Sequence, residues 1–182
     1  MVRRRNFVTA GALALGIAAT LSAQKMTETA MGKGGSPHVK TEWKIDGASL
    51  SIEYGRPFLK GRSEADMMPA GKPWRTGADQ ATIITSDKAL KFGSVSVPAG
   101  THTINTVPGD SEWQLLLGTL AKPGQWGIPY NASLELSKVP MRVGKTASAV
   151  EQVTISIDDT PAGATLRIEW GTKSATAPFT IG

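Results

Sequence analysis

Three guanidinium groups and four aromatic rings supply the clearest chemistry in this chain. Arg56, Arg62 and Arg75 fall between Tyr54 and Ala81. Each guanidinium carries a rigid fork of N–H donors that grips a carboxylate or phosphate through two parallel hydrogen bonds. Tyr54 and Trp74 share that segment, and Trp126 and Tyr130 follow downstream. Aromatic faces pack on the C–H face of a sugar while its hydroxyls take polar partners. Tyr54, Arg56, Arg62, Trp74, Arg75, Trp126 and Tyr130 are therefore the candidates for a site that takes a small anionic or saccharide ligand, or an envelope component. A second reading uses the same arginines as braces, paired with Glu64, Asp66 or Asp79 and with loop carbonyls, so that they pin the segment against the domain. A purely structural envelope protein is the limit of that reading.

Catalysis is the alternative to binding, as a hydrolase acting on a saccharide or acyl substrate. Glycosidase chemistry requires two carboxyls about 5 to 10 Å apart, and Glu64, Asp66 and Asp79 are the acids crowded into the segment. His102 alternates with Ile104 and Thr106 along a strand pattern, which reads as a core-edge histidine rather than a base. His38 stands at the start of the domain and carries a weaker signal still. There is no G-x-S-x-G elbow for a nucleophilic serine. With two histidines, no cysteine and no H-x-H or H-E-x-x-H spacing, no transition-metal site is expected. Gly32, Gly34 and Gly35 lack the strand before and helix after that a phosphate-cradling loop needs, and no cofactor is expected.

These residues must be positioned by strands. Ala48, Leu50, Ile52 and Tyr54 alternate with polar neighbours, as do Val153 to Ile157 and Ala164 to Trp170, each a half-buried strand. Asp46-Gly47 marks a hairpin turn after Val39 to Lys44. Further strands are expected over Ala81 to Thr85, Leu90 to Val97, Thr101 to Val107, Glu112 to Leu117, Leu134 to Val143 and Ala177 to Ile181, with a reversal through Asp158 to Gly163. No segment sustains a helical apolar repeat. The expected fold is all-β, an antiparallel β-sandwich or jelly-roll-like barrel of about nine or ten strands. The connection from Tyr54 to Ala81 is far longer than strand connections usually are, and Ser63 ahead of Glu64 and Asp66 can cap a short helical turn within it.

The N-terminus reads as an export signal over residues 1–23. Arg3, Arg4 and Arg5 precede an apolar stretch ending in the small residues Ser22 and Ala23. Arg4-Arg5-Asn6-Phe7-Val8 is similar to a twin-arginine signal, an ordinary secretory signal being the other reading. The expected location is periplasmic or secreted, with no stable membrane insertion after cleavage. Residues 24–36 are expected to be a flexible spacer and residues 37–182 a single domain. Without cysteine there is neither a disulfide nor a lipid-bearing thiol, so stability must come from burial. The three leader arginines account for much of the formal net charge of +5, which removes the argument for a nucleic-acid partner. The sequence does not fix the oligomeric state.

A run of motifs lies in the same order as in one bacterial family. Tyr54, Arg56-Pro57, Lys60-Gly61-Arg62, Met68-Pro69, Trp74-Arg75-Thr76-Gly77-Ala78 and Ala81-Thr82 are followed by Val97-Pro98-Ala99-Gly100-Thr101, Trp113, Trp126-Gly127 and Tyr130. This resembles the family called domain of unknown function 2911, over about Ser36 to the C-terminus. It departs from the family at Asp79 and His102, where Asn and Tyr are more usual. The resemblance implies an exported, largely β domain and no established activity.

Overall fold

The computed structural model describes residues 24–182, and the expected signal segment lies outside them. The chain is all-β. Ten strands run antiparallel: β1 (Lys25–Met31), β2 (Pro37–Ile45), β3 (Ala48–Gly55), β4 (Ala78–Ser86), β5 (Leu90–Phe92), β6 (Val95–Val97), β7 (Gly100–Val107), β8 (Glu112–Thr119), β9 (Glu135–Thr160) and β10 (Gly163–Ile181). Among the described residues a single helical turn, α1 (Glu64–Met67), and a 3-10 turn over Ala132–Leu134 complete the elements. The strands form one sheet in the order β1-β2-β3-β4-β7-β8-β9-β10-β5-β6. Among the described residues no helix is long and apolar enough to cross a membrane.

The ribbon rolls over so that its two halves enclose one core, which gives a sandwich-like body. Trp43, Ile52 and Ile84 from the first half share a cluster with Ile155, Leu166 and Trp170 from the second. Cross-links between the halves are direct: Val153 N–H donates to the Pro57 carbonyl at 3.1 Å, and Ile155 N–H donates to the Tyr54 hydroxyl oxygen at 3.0 Å. The β2–β3 hairpin turns where expected. Ile45 pairs with Ala48, and Asp46 and Gly47 hold φ of 49° and 72°, the left-handed pair that matches strand twist in a two-residue turn.

Four segments differ from the sequence expectation, each for a physical reason. Lys25–Met31, expected within a flexible spacer, is the edge strand β1. It pairs with β2 while exposing every residue, so it carries no apolar alternation to read. Leu90 to Val97 is two strands, because Gly93-Ser94 reverses the chain and pairs Phe92 with Val95. The separate strands expected at Leu134 to Val143 and Val153 to Ile157 are one strand, β9, and those at Ala164 to Trp170 and Ala177 to Ile181 are one strand, β10. The exposed stretch joining the two parts of β9 hides that continuity, because its pairing with β10 passes through an irregularity where Val150 opposes Gly171 and Lys145 opposes Lys173.

Candidate functional site

The long connection between β3 and β4 is an ordered cover over one end of the sandwich. Leu59 N–H donates to the Glu151 carbonyl at 2.8 Å, and Trp74 exchanges two backbone hydrogen bonds with Thr106, at 2.7 and 2.9 Å. The Ser63 side chain caps α1 as expected, accepting from Asp66 N–H. At the centre of the cover the Trp74 ring enters the core. It stacks on Trp170 with centroids 5.6 Å apart and meets Trp113 edge-on at 6.3 Å.

The three arginines have different surroundings. Arg56 is fully engaged: Nε donates to the Val153 carbonyl at 2.9 Å, Nη2 to Thr154 Oγ1 at 3.0 Å and Nη1 to Met26 Sδ at 3.6 Å. It braces the start of the cover to β9 and β1. Arg62 folds back on its own loop, donating from Nε to the Leu59 carbonyl and from Nη2 to that of Phe58. Arg75 donates only from Nε, to the Gly77 carbonyl at 3.1 Å. Among the described residues its two terminal nitrogens have no acceptor.

Arg62, Trp74 and Arg75 line one open cleft of about 380 Å³, together with Met67, Asp79 and Ile128. Trp126 is not among the residues lining it; the ring is 52% exposed, in a segment whose Gly127 N–H donates to the Asp79 carbonyl at 2.9 Å. Tyr130 lies apart, in a small pocket with Gln125 and Asn131, where its hydroxyl donates to Glu135 Oε2. Tyr54 is buried, with its hydroxyl oxygen accepting from Ile155 N–H. Both phenols titrate above the ordinary range. Burial is the first cause for each; the Glu135 carboxylate adds to it for Tyr130, and hydrogen bonding from Ile155 and the nearby Arg56 charge oppose it for Tyr54. These are the chain's two tyrosines. A raised folded-state pKa contributes stability that is present below the unfolded value of about 10 and lost as pH rises through the folded values. Phenolate absorbance at pH about 10.5 is therefore expected to stay low in the folded protein and to rise when urea unfolds it. A native protein already ionised at that pH would contradict the packing of Tyr54.

Backbone strain concentrates beside the cleft. Thr76 and Asp79 hold φ of 56° and 62°, the left-handed region that a β-branched residue such as threonine rarely enters. Buried partners fix Thr76: its hydroxyl meets Thr106 Oγ1 at 3.1 Å, and its carbonyl accepts from Thr82 Oγ1 at 3.0 Å. The turn directs Asp79 to His38, whose Nε2 lies 2.9 Å from Asp79 Oδ2, the two side chains being 12% and 18% exposed. In the sequence alone His38 carries only a weak signal. Strand register explains the pairing: His38 opposes Gly55, and Gly55 opposes Ala78, so the strand between them presents no side chain. Gly32 lies over the pair, where a Cβ would sit 2.0 Å from Asp79 Oδ2. On its other side His38 lines a second, polar cleft of about 290 Å³ with Glu53, Gln80 and Gln125.

The other acids are separately occupied. Glu64 Oε1 accepts from the Thr172 hydroxyl at 2.9 Å and from Thr172 N–H, and Asp66 accepts from the Ser63 hydroxyl at 2.6 Å. His102 is buried at the core edge, with Nε2 2.8 Å from the Pro98 carbonyl. Among the described residues no group of three potential ligands is placed to hold a metal ion.

A family model described as "Protein of unknown function (DUF2911)" matches residues 36–179. The chain belongs to this family. The DUF2911 match takes in β2 to β9, most of β10, and the whole cover with its cleft, and it leaves out β1. No curated protein and no solved structure matches the chain.

Proposed function

We propose that this DUF2911 chain is an exported binding module whose cleft takes a small carboxylate-bearing saccharide. One observation carries the reading: the outer nitrogens of Arg75 lack any acceptor among the described residues, in a cleft lined by Trp74 and Ile128. A guanidinium in such a place is satisfied by solvent until a planar anion offers two acceptors at once. Arg62 lines the same cleft and adds positive charge, while the exposed Ile128 supplies apolar surface for C–H faces. Export rests on the basic and apolar pattern of residues 1–23.

Calorimetry with N-acetylmuramic acid and N-acetylglucosamine tests the reading, since the two sugars differ by a carboxylate-bearing ether. The acid is expected to bind more tightly. Arg75→Ala is expected to weaken it by roughly ten- to a hundredfold, the worth of a charge-assisted hydrogen-bonded pair, with little change in thermal melting. Equal affinity for the two sugars, or an Arg75→Ala variant that binds as before, would remove the cleft as a carboxylate site.

A further inference from the structure

Arg75 and Asp79 line the same cleft with opposite charges, and among the described residues no ion pair joins them. Each is held by something else. Arg75 turns its Nε to the Gly77 carbonyl at 3.1 Å, and its Cδ is packed so closely on Gly127 that a Cβ there would sit 2.8 Å away. Asp79 is turned by its left-handed backbone toward His38, which uses Oδ2 and leaves Oδ1 without a donor among the described residues. A carboxylate only accepts, so His38 donates its Nε2 proton and acts as a positioning residue for Asp79.

From this arrangement we infer that the ligand is a zwitterion, an amino-bearing sugar acid whose carboxylate meets Arg75 and whose ammonium meets Asp79. The inference rests on the binding reading above and narrows its ligand class. A ligand carrying only a carboxylate would bring a second negative charge beside Asp79, whereas an added ammonium supplies the donor that Oδ1 lacks. With Nε of Arg75 on the Gly77 carbonyl and Oδ2 of Asp79 on His38, the outer guanidinium nitrogens and Oδ1 are left for a bridging ligand.

Muramic acid and N-acetylmuramic acid separate the possibilities, because acetylation replaces the ammonium with a neutral amide and leaves the carboxylate. Calorimetry at pH 7 is expected to give muramic acid an advantage of about tenfold, the size of one charge-assisted hydrogen bond. Asp79→Asn removes the charge while keeping an oxygen for His38, and asparagine tolerates a left-handed φ, so the variant is expected to fold and to lose the advantage. If the wild-type protein binds the two acids equally, or the variant keeps the preference, the zwitterion inference is overturned and the carboxylate site stands. If neither acid binds the wild-type protein, the binding reading falls and this inference falls with it.

Discussion

Replacing Trp74 by alanine is expected to lower the free energy of unfolding by about 3–5 kcal/mol, the cost of emptying a buried aromatic position. The ring stacks on Trp170 and makes a T-shaped contact with Trp113. Neither neighbour can move into the gap easily, since both are almost completely buried among other core side chains. The same substitution unpins the middle of the β3–β4 cover, leaving there the backbone pairing with Thr106. Urea unfolding followed by circular dichroism measures the effect. Trp126→Ala is the control: that ring is exposed, and surface changes of this kind usually shift stability by less than about 0.5 kcal/mol. A Trp74→Ala loss below about 1 kcal/mol would mean that the ring does not anchor the cover.

The sequence showed the fold wherever one face of a strand is buried and the other wet. β2 and β10 from Ala164 to Trp170 alternate in burial residue by residue, β3 does so except at Ser51 and Gly55, and the apolar pattern predicts it. The pattern fails where burial does not alternate. β1 is exposed throughout and is set by the free edge of β2 rather than by its own side chains. β9 continues through a mostly exposed stretch where backbone pairing to β10 does the holding. In both cases the information lies in the neighbouring strand.

Half of the candidate site was legible for a similar reason. An unusually long connection rich in arginine and tryptophan announces itself in composition, and Arg62, Trp74 and Arg75 do meet in one cleft. Residue type alone could not separate Arg56, with its donors bound to β9 and β1, from Arg75, whose terminal nitrogens lack acceptors. That difference depends on which strand passes each guanidinium. His38 and Asp79 were harder still, because they lie far apart in sequence and meet only after β2, β3 and β4 fall into register. The readable sign was Gly55 at the end of an otherwise well-formed strand pattern, since a glycine in a strand often marks close approach of another backbone.

Gly55→Ala is the sharpest test of that arrangement. A Cβ at this position would lie 2.5 Å from the Ala78 carbonyl oxygen and 3.1 Å from the Ala78 Cβ, so the start of β4 must shift rather than a flexible side chain. Overpacking of this kind costs about 1–3 kcal/mol. A second effect follows from the register. Ala78 leads directly into Asp79, and displacing it lengthens the 2.9 Å contact with His38 across the strand. Urea unfolding is expected to show the lost stability, and the His38 imidazole resonances are expected to move toward those of an Asp79→Ala variant. Unchanged stability with an unchanged His38 spectrum would mean that β3 and β4 have room to spare at this point, and that the bare strand position is not what brings the histidine and the aspartate together.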